Sequence, residues 1–359
     1  MNDGIRSLVL TGNYKQMGRQ YGGLLAPVLT NAFKAAFVDH IFKNEIMLQD
    51  QARDISSYIW NRYPAKFKEF FAGIAETSDL GLDKLIMLDQ YLWLIMVKEL
   101  DNLGSGTMIS VSADYTVDNS MILGRTLDFS AFPDTAFFPP IILVLIPDTG
   151  DIPVLTVGFP GQLQSLNAIN ARGLAVFQNN AAVSGDQRRI FDRTNNLINT
   201  IDWLGNSSKL EFIETLINSY RPSFASIALI ASETKAEAYE ISTSETTKRM
   251  PVGSGLLVAA NHFINPAWEV PKDNPNLLRS LSVQNNLLRL AEQVKGKLTP
   301  EQLMSILDRP LSDQGVSTEQ TKMQLVFSQK KRALWVRTPS LRHWIKIDLN
   351  FFLDSVVLQ

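Results

Sequence analysis

Apolar residues in the first hundred positions recur at three- and four-residue spacing. Met17, Tyr21, Leu24 and Leu25 share one side of a helix, and Phe67, Phe70, Phe71 and Ile74 one side of another. A short apolar run at 5–10 precedes them and reads as a strand. Pro64 suits a first helical turn, and Asp83 can cap a helix carrying Leu85, Leu88, Leu92 and Ile95. The pattern predicts a helical section over 13–100. From Thr107 onward the texture changes. β-branched and apolar runs appear at 108–111, 121–123, 141–146, 154–157, 174–177, 227–230, 256–259, 323–327, 333–336 and 344–347, separated by Gly, Pro, Asn and Asp. That is the pattern of many antiparallel strands. Helical spacing interrupts it at 191–220, 274–294 and 300–308, the last opened by Thr299 and Pro300. Lys330-Lys331-Arg332 reads as a hairpin turn. Strands grouped with interposed helices predict an α+β protein with two packed sheets flanked by helices. The small, polar stretch 100–106 marks the boundary between the two sections.

Composition narrows the function classes. Hydrophobic residues make up 45% and charged residues 19% of 359 positions, as in an ordinary globular chain. A net charge of −2 gives no electrostatic basis for binding nucleic acid or an anionic membrane. The most apolar stretches, 85–97 and 139–146, are too short to span a bilayer. No basic start followed by an apolar run opens the chain, so a cytoplasmic location is expected. Cysteine is absent, which excludes disulfides, thiolate zinc sites and a cysteine nucleophile. The three histidines, His40, His262 and His343, lie far apart, so neither a histidine metal site nor a Ser–His–acid triad is expected. No phosphate loop or dinucleotide fingerprint is present, and no cofactor is called for.

Chemistry concentrates in three pieces: 104–109 (Gly-Ser-Gly-Thr-Met-Ile), 116–120, and 124–129 (Gly-Arg-Thr-Leu-Asp-Phe). They read as strand, polar turn, strand. Arg125 and Asp128 fall on opposite faces of a regular strand and meet only if the chain bends. A structural ion pair between them is one reading, and a catalytic pair the other.

Gly124-Arg125-Thr126-Leu127-Asp128-Phe129 resembles the Gly-Arg-Asn-Leu-Asp-aromatic motif of the N-terminal-nucleophile (Ntn) hydrolases of the linear-amide type, the group of penicillin V acylase, bile-salt hydrolase, acid ceramidase and acyl-CoA:6-aminopenicillanate acyltransferase. Three further segments fall in that family's order. They are 13–22, similar to its N-terminal Tyr/Met-Gly/Gly pattern; Asn170 to Val176 with Asn179 and Asn180 after it; and Ala260-Asn261-His262, similar to its Thr-Asn-His. The likeness runs from about residue 10 to 265.

The resemblance implies a four-layer αββα sandwich, with 1–104 as a helical propeptide or small-subunit section and 105–359 as the catalytic core. Such an enzyme cuts its own chain before a Cys, Ser or Thr. The freed α-amine then serves as base for that residue, so no histidine is needed. By resemblance, Asp128 holds the amine, Arg125 orients the nucleophile and Asp128, and Asn261 with Asn179 or Asn180 donates to the oxyanion. The expected partner is a small N-acyl amide or acyl donor. The nucleophile departs from the family's usual Gly-Cys-Thr. One alignment places Ser105 there. The other places Gly106 there, before Thr107, so that the nucleophile is missing and the chain is an inactive or nucleophile-replaced relative. The family's later arginine has no counterpart in 310–325. Phe132, Phe137 and Phe138, after Asp128, are either a buried connection or a wall of an acyl pocket. Ser232-Glu233-Thr234-Lys235 has Ser-x-x-Lys spacing but sits between strands, and Val252-Gly253-Ser254-Gly255 is an incomplete nucleophile elbow.

Overall fold

Asn13 opens the helical section. Its side chain accepts the Gln16 N–H while the Gln16 side chain accepts the Asn13 N–H, which satisfies two otherwise orphaned donors. A computed structural model describes residues 5–98, 106–129, 139–181, 193, 197–219, 222–251, 253, 255–268, 275–341 and 343–355. In it α1 (Tyr14–Phe33) passes into π-helical turns at Lys34–Phe42, followed by α2 (Gln49–Trp60), α3 (Ala65–Thr77) and α4 (Leu82–Lys98). Pro64 stands just before α3 rather than inside its first turn, and Asp83 lies within the first turn of α4 rather than capping it. α1 and α3 pack with backbones nearly touching. A Cβ on Gly18 would lie 1.9 Å from the Phe70 carbonyl oxygen, so only glycine permits this crossing.

The strands form two sheets among the described residues. The first has eight: β1 (Arg6–Gly12), β4 (Ile141–Pro147), β5 (Val154–Gly158), β6 (Asn167–Asn170), β7 (Ala175–Asn180), β8 (Ser226–Ala231), β9 (Ala236–Ile241) and β10 (Thr246–Arg249), in that spatial order. The second has six: β11 (Leu256–Ala259), β2 (Met108–Ala113), β3 (Asn119–Asp128), β12 (Thr321–Ser328), β13 (Ala333–Arg337) and β14 (Ile345–Asp348). Neighbours are antiparallel as expected except β1 and β4, which pair in parallel. A parallel pair needs a long crossover, and the helical section with the β2–β3 hairpin supplies it. Strand spacing missed β6, β9 and β10. In β9 the carboxylates Glu237 and Glu240 are buried, so a buried strand does not read as apolar.

The 191–220 pattern resolves into α5 (Asn199–Asn206) and α6 (Leu210–Ser219). α7 (Pro275–Gln293) and α8 (Pro300–Asp308) follow, with Thr299 capping α8 as predicted, and α9 (Asn350–Asp354) ends the described chain. α1 and α5 pack on the eight-stranded sheet, and α7 and α8 on the six-stranded one. The expected αββα order is thus present. Alternation along β2 shows how the layers are filled. Met108 joins the apolar cluster that holds Phe70, Leu143 and Leu229, whereas Ile109 joins the cluster beneath α7 and α8 with Leu287 and Leu303. The front section is continuous with the sandwich, because β1 lies in the larger sheet and Phe67, Phe70 and Phe71 share its core. Among the described residues no helix is long and apolar enough to cross a membrane.

Candidate active site

β2 and β3 are neighbouring interior strands of the smaller sheet, with Met108 opposite Arg125. Alternation along β3 sends Arg125 and Asp128 into different surroundings. Arg125 is fully buried and spans the gap between sheets. Its Nη1 donates to the Leu166 carbonyl (3.0 Å), Asn167 Oδ1 (2.6 Å) and the Gln178 carbonyl (3.1 Å), and its Nη2 to Asn179 Oδ1 (2.8 Å). These acceptors belong to β6, β7 and the residue before β6. Burial pulls the guanidinium pKa down to about 9 against the opposing charge of Asp128.

Asp128 is 3% exposed. Thr321 Oγ1 donates to its Oδ1 at 2.7 Å, and the Thr126 hydroxyl donates to the same carboxylate. Arg279 Nη2, reaching over from α7, lies 3.7 Å from Oδ2. Asp128's close cation is therefore Arg279, and Arg125 acts on it through charge rather than as the structural ion pair considered from spacing. Burial raises the Asp128 pKa, while Thr321, the two arginines and Thr126 oppose the rise.

Across the gap, Asn179 Nδ2 donates to the Gly106 carbonyl at 2.8 Å and to the Ala260 carbonyl at 3.3 Å. Asn261 Nδ2 donates to the Asn180 carbonyl (3.0 Å) and its Oδ1 (3.1 Å). Asn261 has a rigid mount. Arg249 forms a buried ion pair with Glu240 and donates to the Val258 and His262 carbonyls. Glu240 accepts the Ile264 and Asn265 N–H groups, and Ser280 Oγ accepts the Asn261 N–H at 2.8 Å. His262, its Nδ1 against Ser280 Oγ, has a pKa lowered by burial to about 4 and stays neutral at pH 7.

Five of the residues named from sequence, Gly106, Arg125, Asn179, Asn180 and Asn261, thus join one network, and Asp128 adjoins it through Thr126. Ser105 lies outside the described residues, as do Phe132, Phe137 and Phe138. Gly106 has φ +101°, and a Cβ there would lie 2.0 Å from the Thr126 carbonyl oxygen. A side chain at 106 therefore requires the segment to move. Sequence reasoning missed Arg279, Thr321 and Thr126. Arg279 also donates to Gln320 and Thr318, which stand in the 310–325 stretch that itself holds no arginine equivalent to the one the resemblance implies. Thr126 had a visible signal: it stands where the family motif has Asn. It donates to Asp128 and accepts the Thr107 N–H at 3.1 Å. A cleft of about 830 Å³, lined by Arg279, Leu311, Thr318 and Gln320, opens beside this end of β3. Among the described residues no group of three or more His, Asp or Glu could hold a metal.

No family model matches the chain, and no curated protein sequence matches it. Among solved structures, the chain is similar to a mutant of conjugated bile acid hydrolase from Clostridium perfringens, at 15% identity and TM-score 0.47 over 68% of this chain and 92% of that one. It is similar to the N-acylethanolamine-hydrolyzing acid amidase ortholog of Caenorhabditis elegans, at 14% identity and TM-score 0.47 over 62% and 92%. It is also similar to penicillin V acylase from Agrobacterium tumefaciens, at 11% identity and TM-score 0.42 over 68% and 86%. What this site can do follows from its own atoms.

Proposed function

We propose that this protein is an amide C–N hydrolase or acyltransferase working through an N-terminal nucleophile that autoproteolysis frees at the start of β2. The observation that carries the reading is that, at the start of β2, a buried carboxylate on one side of the smaller sheet and fixed amide donors on its other side are bonded, the carboxylate through the Thr126 hydroxyl, to the same short segment of chain. Asp128 would hold the freed amine, and Asn179, which donates to the Gly106 carbonyl, would supply the oxyanion donor; Asn261, whose amide donates to Asn180, would turn to join it. Arg125 fixes Asn179 from behind, so the donor costs no reorganisation during reaction. With three scattered histidines, a freed amine is the base this arrangement allows. The substrates would be N-acyl amides with an apolar acyl part, entering by the cleft beside Arg279.

The test is turnover of a panel of N-acyl arylamides, together with intact-mass analysis after treatment with a reactive ester or β-lactone. Release of amine and a covalent acyl adduct, both lost in Asp128→Asn, are the expected results. Adding an acceptor amine measures transfer against hydrolysis. A folded protein with neither turnover nor adduct would sink the reading in favour of an Ntn-like fold lacking a nucleophile.

A further inference from the structure

We propose that the bond cleaved is Gly106–Thr107 and that Thr107 is the nucleophile of the mature enzyme. This rests on the amide-hydrolase reading above and names its reacting atom.

Two contacts straddle that one peptide bond. On its carbonyl side, the Gly106 oxygen accepts Asn179 Nδ2 at 2.8 Å, and Asn179 Oδ1 is in turn bound by Arg125 Nη2 at 2.8 Å. A buried cation thus polarises the amide that polarises this carbonyl, which is where negative charge develops on attack. On its nitrogen side, the Thr107 N–H donates to Thr126 Oγ1 at 3.1 Å, and the Thr126 hydroxyl donates to Asp128. Cleavage turns this nitrogen into an α-amine already one hydroxyl away from a buried carboxylate. The residue before the bond must be glycine in this conformation, since a Cβ would collide with the Thr126 carbonyl. Thr107 itself is 1% exposed, so the reaction would start shielded from water.

The chemistry closes with water as the one co-reactant. Thr107 Oγ adds to the Gly106 carbonyl carbon, the C–N bond to Thr107 breaks, and the hydroxyl proton ends on the departing nitrogen. This leaves an ester on Oγ and a free α-amine. Water hydrolyses the ester, which restores the Thr107 hydroxyl and leaves Gly106 with a carboxylate. In each later turnover the amine takes the Oγ proton as the hydroxyl attacks a substrate amide.

The experiment uses the full chain with three variants, Thr107→Ala, Thr107→Ser and Ser105→Ala. Intact mass and N-terminal sequencing follow the cleavage, circular dichroism checks folding, and peptide mapping locates the adduct of a β-lactone probe. Two fragments, the larger beginning Thr107-Met108-Ile109, are expected for the parent chain and for Ser105→Ala, and a cut at the same bond for Thr107→Ser. Thr107→Ala should stay intact, slowed at least about 100-fold, and the adduct should map to Thr107. A new terminus at Ser105, or cleavage blocked by Ser105→Ala while amide turnover survives in the parent chain, overturns this assignment and leaves the hydrolase reading standing. An uncut parent chain without adduct or turnover overturns both.

Discussion

Two buried aspartates, Asp89 and Asp128, sit in one molecule with opposite fates. Asp89 lies on α4, 0% exposed, and every close partner is neutral: Tyr63 Oη (2.6 Å), the Leu163 N–H (2.7 Å), the Gln164 N–H (3.1 Å) and more distant side-chain amides of Gln90 and Gln164. Among the described residues no cation lies within ion-pair distance of it. Burial raises its pKa to about 6 despite those bonds. Asp128 is as well buried, but it has Arg279 at 3.7 Å, the charge of Arg125 nearby, and two hydroxyl partners. A hydroxyl donates and accepts, so Thr126 links the carboxylate onward to a backbone nitrogen. At Asp89 the Tyr63 hydroxyl likewise accepts from the side-chain amides of Gln90 and Gln164, so this chain of bonds closes on its own cluster and ties α4 to the loop before β6. The lesson is that burial and a raised pKa do not separate a structural carboxylate from a chemical one. Where the hydrogen-bond chain leads does: back into a side-chain cluster at Asp89, out to a backbone nitrogen at Asp128.

That contrast can be broken from the Asp128 side first. Asp128→Asn should cost on the order of 10²-fold or more in amide turnover with little loss of fold, measured by steady-state kinetics beside thermal unfolding. Asp89→Ala should do the reverse. It strips acceptors from two buried N–H groups and a buried hydroxyl, so unfolding in denaturant should show a loss of about 3 kcal/mol or more. If Asp89→Ala instead abolished turnover in a chain that stays folded, the division between the two carboxylates would fail.

The next effect depends on pH. The folded chain holds the Asp89 proton more tightly than the unfolded chain, whose pKa is near 3.8, against about 6 when folded. Its favourable contribution is therefore full below about pH 4 and is lost as pH rises through about 6. Asp89→Asn, which mimics the protonated acid, should be free of that loss. Its stability relative to the parent should improve by up to about 3 kcal/mol between pH 4 and pH 7 in paired denaturation curves. A constant difference across that range would show that Asp89 titrates normally. Smallest is Arg279→Met. It should lower turnover about tenfold and shift the acid limb of the rate profile upward, since removing a cation makes Asp128 harder to ionise. An unchanged profile would remove Arg279 from the site.

Much of this protein could be read along the chain. Three- and four-residue spacing gave the helical front section, and alternation gave the β2–β3 hairpin and the opposed directions of Arg125 and Asp128, because these follow from local backbone geometry. The motif around Asp128 and the asparagines at 179, 180 and 261 were legible as residue types in family order. Their meeting was not. Asn179 comes from the larger sheet and Gly106 from the start of the smaller, 73 positions apart, and they touch only because the sheets stack face to face. Arg279 carried no local signal, since one arginine on an amphipathic helix is ordinary until the fold turns that helix end over β3. β9 was hidden because its buried glutamates are compensated by partners from other elements, among them Lys235, Lys248 and Arg249. Local pattern determines which elements form, because their hydrogen bonds and exposed faces are set within a few residues. Which charges and amides converge on one peptide bond is decided by the packing of layers.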